Sequence, residues 1–340
     1  MTETVEREIL SQVRDLSVTY HTRLGPVSAV DRVSFDIYQG EILGLVGESG
    51  CGKSTLGKAL MRMIAPPGEV HGHHYFRGED VMAYNDSQIR DFRGRCMSMI
   101  FQDPMTSLNP VQRVDEHVIE AIQVHEPKTR KPAALGRAQK LIERLGIQQR
   151  RLNSYPHQLS GGMRQRVMIG LGLVLNANLI VADEATTSLD VIVEAKLVDQ
   201  MKQIRDDFGV SILMITHNIA LVAQIADRLA VMYAGRIVEI GSIYEVFDDP
   251  KHPYTQGLLQ SVPTIKLDKR EELFKMPGEP PNLTHPPSGC RFHPRCSYAM
   301  PICSHIQPNL KPLEDSERLV HCWLYHDHPE KYTQDTEVAA

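Results

Sequence analysis

Apolar and polar positions alternate along the first part of this chain and then give way to uniformly apolar runs. Residues 12 to about 40 alternate, most clearly from Val27 to Ile37, which predicts antiparallel strands with one buried face. Three later runs, at residues 41–46, 179–184 and 211–217, are short and almost continuously apolar. Runs of that length and composition predict strands buried on both faces.

Helical patterning covers residues from about 103 to 160, most clearly Glu116–Val124 and Ala133–Leu145. Residues from about 160 to 240 alternate strand and helix patterns, which implies a parallel sheet. We therefore predict an α/β fold with an antiparallel β-subdomain, a helical subdomain at about 103–160 and a parallel core. The proline-rich stretch at 276–281 predicts an irregular tail, and we divide the chain into domains at residues 1–250 and 251–340.

A glycine-rich segment follows the first buried run and matches the phosphate-binding loop pattern G-x-x-x-x-G-K-[ST]. It reads Gly47-Glu48-Ser49-Gly50-Cys51-Gly52-Lys53-Ser54-Thr55 and leads into a predicted helix. The glycines permit a tight turn whose N–H groups, with the helix N-terminus, form an anion site. Lys53 is then expected to reach the β- and γ-phosphates of ATP, and the Ser54 hydroxyl to ligate Mg²⁺. The Cys51 side chain is interpreted as a small filler.

Polar residues end the other strands of the predicted core. The second apolar run ends in Asp183 and Glu184, which we assign to Mg²⁺ and to the attacking water respectively. His217 ends the third run, where it would contact the γ-phosphate, although a lone strand-end histidine is more often structural. Gln102 follows the apolar segment at 97–101 and would complete the shell of Mg²⁺ and water.

These motifs together resemble the nucleotide-binding subunit of an ABC transporter, which has a P-loop NTPase fold with a RecA-like core. The segment at 159–165, Leu-Ser-Gly-Gly-Met-Arg-Gln, resembles the family's signature motif. Gln102 matches its Q-loop, Ser188-Leu189-Asp190 its D-loop and His217 its H-switch, and Tyr20 lies where the family stacks an aromatic ring on adenine. All the elements occur in the family's order between residue 14 and about 245.

The signature segment implies a partner. Ser160, Gly161 and Gly162 precede a predicted helix from Met163 to Leu175, so they form a second phosphate-binding end. In the family this end faces the ATP bound by the opposite subunit, and two subunits close head to tail around two ATP molecules. From spacing alone, Ser160 is equally well interpreted as an ordinary helix N-cap followed by flexible glycines.

One position departs from the family pattern. Ala185 stands where the family usually has proline after the two acidic residues. Alanine can adopt the backbone angles of proline at a small entropic cost, so we expect Glu184 to remain competent for hydrolysis.

Composition narrows the function classes. The formal net charge is −5, which gives no general attraction to nucleic acid or anionic lipid. The N-terminus is acidic and lacks the apolar segment of a signal peptide. No apolar run approaches the roughly 20 residues that span a bilayer. If the chain is a transport motor, we expect its pore to come from other chains.

Four of the six cysteines lie in the last quarter of the chain, at Cys290, Cys296, Cys303 and Cys322. Four thiolates can hold tetrahedral zinc or a [4Fe–4S] cluster, and the spacing alone leaves the metal open. His293, His305 and His321 keep a mixed Cys/His zinc site as an alternative, and unligated buried cysteines are a further one.

His252-Pro253-Tyr254-Thr255 followed by this tail resembles the oligopeptide/dipeptide permease ATP-binding subunits. The resemblance covers about residues 12–325. It implies a structural [4Fe–4S] cluster on the four cysteines, a second and distinct ATPase subunit, two transmembrane permease subunits and an extracytoplasmic peptide-binding protein. It also implies a place on the cytoplasmic face of the inner membrane. Without the resemblance, His252 and Tyr254 indicate a proline-bounded turn packed on the core.

The sequence therefore predicts an ATPase that drives peptide import. One alternative is a soluble ABC ATPase that remodels nucleic acid or ribosomes. Such proteins usually have two cassettes or a long coiled coil, and this chain has one cassette and no sustained heptads. A second alternative is an importer of another small solute, such as a metal complex, and a third is a redox or iron sensor built on the tail.

Overall fold

The computed structural model describes residues 7–101, 107–184, 191–261, 276–313 and 316–326, without the side chains of 191–197. The chain divides into two compact units. The first comprises residues 1–8, 37–42 and 79–215, and the second comprises residues 9–36, 43–78 and 216–340. Gln102 and Asp190 lie outside the described residues.

The strands are numbered in chain order and include the strands expected from the apolar patterns. They are β1 Ile9–Thr22, β2 Gly25–Tyr38, β3 Ile42–Val46, β4 Gly68–Phe76, β5 Glu79–Asp80, β6 Met97–Ile100, β7 Leu179–Asp183, β8 Ser211–Ile215, β9 Arg228–Tyr233, β10 Arg236–Ser242, β11 Lys311–Pro312 and β12 Leu319–Val320.

The helices are likewise numbered in chain order. They are α1 Lys53–Leu60, α2 Asp86–Arg95, α3 Val114–His125, α4 Lys131–Arg144, α5 Gly161–Leu173, α6 Val191–Phe208, α7 Ile219–Val222, α8 Ile243–Asp248 and α9 Pro253–Gln260. Short 3₁₀ segments lie at Val81–Ala83, Gln149–Asn153, Pro156–Gln158, His293–Arg295, Pro301–Ser304 and Trp323–Tyr325. The expected helices at 116–124, 133–145 and 163–175 correspond to α3, α4 and α5.

The first unit contains a parallel sheet and a helical region. Strands β6, β7 and β8 pair in parallel, with Ile100 opposite Ala182 and Asp183 opposite Ile215. Helix α3 packs on α4, and each buries apolar positions at helical spacing, such as Val118 and Ile122 in α3. Because parallel strands place their carboxyl ends at one edge, Asp183 lies at the edge where β8 also ends.

The second unit contains an antiparallel sheet and a mixed sheet. In the first of these, β1 lies between β2 and β4 and pairs with β4 in antiparallel register. In the other, β3 pairs with β9 in parallel, and β9, β10, β12 and β11 follow as antiparallel neighbours.

The expectation of parallel strands up to residue 240 was wrong for β10, which returns antiparallel to β9. Ala234 and Gly235 form the two-residue turn between them, with φ values of 46° and 86°. A turn with two positive φ angles matches the twist of a hairpin, so it reverses the chain at once and leaves no crossover helix.

The tail is irregular, as the proline-rich stretch predicted, yet it is part of the second unit's sheet. We call residues 276–313 and 316–326 the C-terminal lobe. Its strand β12 pairs with β10, Glu239 lying opposite Val320. Arg318, whose side chain is 7% exposed, donates to the main-chain oxygens of Glu245 and Asp249 beside α8. The lobe is therefore anchored by backbone pairing and by a buried arginine.

Candidate functional site

The phosphate loop joins β3 to α1 within the second unit. Helix α1 begins after Gly52, whose φ is 106°, and no side chain caps its N-terminus. A Cβ on Gly52 would lie 2.1 Å from the Ala29 oxygen, and one on Gly47 would lie 2.1 Å from the Met232 oxygen. Both glycines are therefore required by neighbouring backbone, and the uncapped helix end has N–H groups suited to an anion.

Lys53 is buried in this loop. Its side-chain Nζ donates to the main-chain oxygens of Gly47 at 2.8 Å and Glu48 at 3.0 Å. The Cys51 thiol lies 3.7 Å from the same ammonium. Burial raises the pKa of Cys51, an effect that Lys53 opposes, which agrees with a packed neutral thiol. Ser49 and Gly50 are exposed, and Ser54 and Thr55 are partly buried in the first turn of α1.

Two other expected nucleotide contacts belong to the same unit. Tyr20 is partly buried on β1, and it pairs with Gly68 of β4. His217 is exposed and follows β8, just before Asn218 caps the short helix α7.

The carboxylates expected to act on Mg²⁺ and water lie in the first unit. Asp183 is 5% exposed at the end of β7. Glu184 has a positive φ of 46°, and its N–H donates to the Ile215 oxygen at 2.8 Å. A glutamate held in the left-handed region is uncommon and occurs more often at functional sites.

The signature segment lies at the start of α5, also in the first unit. Ser160 is its N-cap, and its hydroxyl accepts from the Met163 N–H at 3.4 Å. A Cβ on Gly161 or Gly162 would meet no described residue within 4 Å. The N-cap interpretation of Ser160 therefore holds within the chain, while packing among the described residues gives no reason for the two glycines.

The four tail cysteines lie within electrostatic reach of one another. Burial raises the pKa of Cys290 to about 11 and that of Cys322 to about 12, and it also raises the pKa of Cys296. Backbone N–H groups oppose the shift: those of Phe292 and His293 at Cys290, that of Tyr298 at Cys296 and that of Leu324 at Cys322. Cys303 is buried with Ile302 and Trp323, and its carbonyl accepts from the Cys290 N–H at 2.8 Å.

Within the described residues, no three His, Cys, Asp or Glu side chains are arranged to hold a single metal ion. In the same part of the chain, no helix is both long and apolar enough to cross a membrane. His293, proposed above as a zinc ligand, has its Nδ1 within 2.9 Å of the Cys290 oxygen, and His305 is exposed.

Sequence reasoning missed the contacts that hold the phosphate loop from outside. Arg295 of the C-terminal lobe binds the Glu48 carboxylate, and the Tyr254 hydroxyl accepts from the Glu48 N–H. One feature of the sequence could have drawn attention to Arg295. This residue immediately precedes Cys296, in the segment that the cysteine spacing had already marked as a candidate site.

Comparison with known proteins agrees with these observations. Residues 30–187 match the ABC transporter family, and residues 238–303 match the C-terminal region of oligopeptide/dipeptide transporters. The oligopeptide transport ATP-binding protein OppD of Bacillus subtilis (strain 168) is 44% identical over 335 residues, covering 97% of this chain and 93% of that protein. The dipeptide transport ATP-binding protein DppD of the same organism is 43% identical over 321 residues, 93% of this chain and 95% of that protein.

Solved structures show the same fold. A dimeric ATP-binding cassette in a post-hydrolysis state with ADP and Pi superposes with a TM-score of 0.61 at 24% identity, covering 69% of this chain and 99% of that one. The chain has the α/β P-loop fold of an ABC ATPase, and ATP hydrolysis is the activity expected of it. This chain belongs to the ABC transporter family, among its ATP-binding proteins of the oligopeptide/dipeptide type.

Proposed function

We propose that this chain is the ATP-hydrolysing subunit of an oligopeptide or dipeptide importer. The observation that carries the proposal is similarity along nearly the whole chain, tail included, to proteins named for oligopeptide and dipeptide transport. The phosphate loop and the C-terminal lobe belong to one compact unit. Cargo chemistry belongs to partner subunits, so ATP binding and hydrolysis are the steps that this chain performs.

ATP binding is assigned to the second unit. The N–H groups of residues 47–55 would surround the phosphates at the uncapped start of α1, and Lys53 would exchange its carbonyl contacts for phosphate oxygens. Its buried ammonium is already at the loop, so little rearrangement is needed. Tyr20, which is only partly buried, would stack on the adenine.

Hydrolysis is assigned to the residues that end the strands. Glu184 would orient and deprotonate the attacking water, and His217 would stabilise charge on the γ-phosphate. Ser54, Asp183 and Gln102 would hold Mg²⁺, which neutralises phosphate charge when bound. A hydroxyl, a carboxylate and an amide oxygen are the hard oxygen donors that this ion prefers, so the donor set fits.

The signature segment would serve a second ATPase subunit. Ser160, Gly161 and Gly162 at the start of α5, with Asp190, would approach the ATP held by a homologous partner. No described residue lies within 4 Å of a Cβ built on either glycine, which supports this role, since a partner's phosphates could approach there. Two transmembrane permease subunits and an extracytoplasmic peptide-binding protein would complete the importer, with this chain at the cytoplasmic face of the membrane.

The cysteines of the C-terminal lobe would hold a [4Fe–4S] cluster with a structural role. Burial raises the pKa values of Cys290, Cys296 and Cys322, and backbone N–H groups partly oppose this shift. Hydrogen bonds from backbone N–H groups to sulfur are typical of such clusters. Four thiolates are the usual ligand set of such a cluster. A single zinc ion on the same thiolates is the alternative outcome of the test.

The test of function is ATP-driven peptide uptake into vesicles that contain this chain with its permease partners. Glu184→Gln should bind ATP normally and lose about 10²–10⁴-fold of turnover, the range of a general base. Uptake should stop with it. Unchanged ATP hydrolysis in Glu184→Gln would contradict the role of Glu184. If a metal complex stimulated ATP hydrolysis by the wild-type transporter and no peptide did, the assignment of peptide as cargo would be contradicted.

The test of the cluster is anaerobic purification with iron, sulfide and zinc measured together. About four irons and four sulfides per chain are expected, with broad absorbance near roughly 400 nm. Cys296→Ser should lower the iron and sulfide content. Stoichiometric zinc without sulfide, or full iron content in that variant, would contradict the four-cysteine assignment.

A further inference from the structure

The phosphate loop is bound by an arginine of the C-terminal lobe. Arg295 Nη1 donates to Glu48 Oε2 at 2.8 Å, and Nη2 donates to Oε1 at 3.0 Å. The Arg295 side chain is 6% exposed and that of Glu48 is 24% exposed. A bidentate guanidinium–carboxylate pair at this depth is strong and fixes orientation as well as distance.

Arg295 is itself held by its surroundings. Its Nε donates to the Pro277 oxygen at 2.8 Å, and its Nη1 lies 3.3 Å from the Tyr233 hydroxyl. The guanidinium also lies 5.7 Å from the centre of the Tyr233 ring. Arg295 and Pro277 both belong to the lobe, whereas Tyr233 belongs to β9. A displacement of the lobe relative to β9 must therefore displace the guanidinium that binds the loop.

Glu48 is also bound through its backbone. Its N–H donates to the Tyr254 hydroxyl at 2.9 Å, and Tyr254 is fully buried on α9. Ring centroids separate Tyr254 from Tyr233 by 4.5 Å and from Phe292 by 5.5 Å. The lobe residue Phe292 therefore packs directly on the side chain that holds the loop.

The same loop residue positions the phosphate-binding lysine. The Glu48 carbonyl accepts from Lys53 Nζ at 3.0 Å. Glu48 is thus bound at its side chain by Arg295, at its N–H by Tyr254 and at its carbonyl by Lys53. A shift of Glu48 must move the carbonyl that holds the ammonium.

The segment that provides these contacts lies between two of the clustered cysteines. Phe292 and Arg295 are joined by a hydrogen bond from the Arg295 N–H to the Phe292 oxygen at 2.9 Å. The Phe292 N–H also acts on the Cys290 thiol, and Cys296 follows Arg295 directly. The turn that contains Arg295 is therefore bounded at both ends by clustered cysteines.

We propose that the C-terminal lobe positions the phosphate loop through Arg295 and Tyr254, so that the state of the lobe sets the affinity for ATP. The inference rests on the proposed ATP-binding function. Arg295 orients Glu48, and it also neutralises a carboxylate that would otherwise repel the phosphates. Both are positioning residues, since neither needs to touch the nucleotide.

The experiment is an equilibrium titration of the full chain with MgATP. Arg295→Met should weaken ATP binding by about tenfold or more, within the usual range of coupling between sites. Glu48→Gln in the Arg295→Met background removes the uncovered charge without restoring the orientation of the loop, so it should recover only part of the lost affinity. Arg295→Lys keeps the positive charge but loses the bidentate contact with Glu48, so its ATP affinity should lie between those of the wild type and Arg295→Met. Turnover at saturating ATP should change by less than about twofold, which separates positioning from catalysis.

Tyr298→Ala is the matched control. Tyr298 belongs to the same lobe as Arg295, but its ring is 56% exposed. Its removal should leave both stability and ATP affinity unchanged. Wild-type affinity in Arg295→Met, or an equal loss in Tyr298→Ala, would overturn the inference. A wild-type chain that binds no ATP would instead overturn the proposed function.

Hydrogen exchange tests the connection to the cysteines without reference to activity. Cys296→Ser should speed exchange of the amides at residues 47–53, and Arg295→Met should speed the same amides. The contrary result in Cys296→Ser is faster exchange only in the lobe, with exchange at residues 47–53 unchanged. That result would overturn the proposed connection between the cysteines and the phosphate loop.

Discussion

His252 shows how one buried side chain fixes the start of a helix. Its Nδ1 accepts from the Tyr254 N–H at 3.0 Å, and its own N–H donates to Glu239, whose side chain is fully buried. Burial, with a smaller effect of His321, lowers the pKa of His252 to about 3. The ring must stay neutral to accept, so the helix that carries Tyr254 begins on an uncharged imidazole.

The lowered pKa of His252 predicts that the folded protein loses stability in acid. An unfolded histidine has a pKa of about 6.5, so below that pH the unfolded chain binds a proton that folded His252 does not. Stability should therefore fall as pH drops from about 6.5 toward about 3, by up to about 1.4 kcal/mol per pH unit from this group. His252→Asn keeps an acceptor that does not titrate, and its pH dependence should be flatter.

Urea unfolding at several pH values measures this difference. His157→Asn, at an exposed position, is the control and should follow the wild type. Identical slopes for His252→Asn and the wild type would show that His252 does not cause the acid sensitivity.

At the scale of elements, a glycine lies at the N-terminus of both α1 and α5, but for different reasons. Gly52 has a positive φ and lies against the Ala29 oxygen, so the backbone of this unit requires it. Gly162 lies in the first turn of α5, and a Cβ there would meet nothing within 4 Å in the part of the chain that the structure describes. The two glycines can therefore be separated by substitution with the same residue.

Gly52→Ala should lower the free energy of unfolding by about 1–3 kcal/mol and weaken ATP binding, because it strains the loop. Gly162→Ala should leave stability unchanged or raise it by up to about 1 kcal/mol, since alanine favours helix. It should still bind ATP yet reduce turnover in the assembled transporter. Thermal unfolding, ATP titration and turnover measure the three effects, and full turnover in Gly162→Ala would contradict the partner-facing role.

At the scale of the whole molecule, the C-terminal lobe is a structural part of the unit that carries the phosphate loop. It provides strand β12 to the sheet and the Phe292 ring to the cluster of Tyr233 and Tyr254. Phe292 is 3% exposed. Loss of the lobe would uncover both tyrosines and the edge of β10, so the lobe and the loop should unfold together.

Phe292→Ala should lower the free energy of unfolding by about 3–5 kcal/mol, the usual cost of emptying a buried aromatic site. Tyr298→Ala is the control in the same lobe, because that ring is 56% exposed and its removal should change stability by less than about 0.5 kcal/mol. Urea denaturation measures both. Equal stabilities for the two variants would show that the lobe is not part of the core.

The sequence by itself determined the local features of this protein. Strand and helix positions followed from apolar spacing, and the phosphate loop from a contiguous motif, because both patterns are formed by residues close in the chain. The ordered motifs also gave the family. The β9–β10 hairpin was missed, since a turn of Ala234 and Gly235 lacks the usual asparagine or aspartate signal.

The tertiary structure alone decided what holds the loop. Glu48 and Arg295 are 247 positions apart, and the sequence contains 42 acidic and 37 basic residues without indicating which of them pair. Tyr254 is likewise 206 positions from the N–H that it accepts. Such contacts depend on the position of the lobe, which is set by the pairing of β12 with β10 and by the packing of Phe292 on Tyr254. Local patterning therefore predicts the nucleotide loop, and the fold determines what positions it.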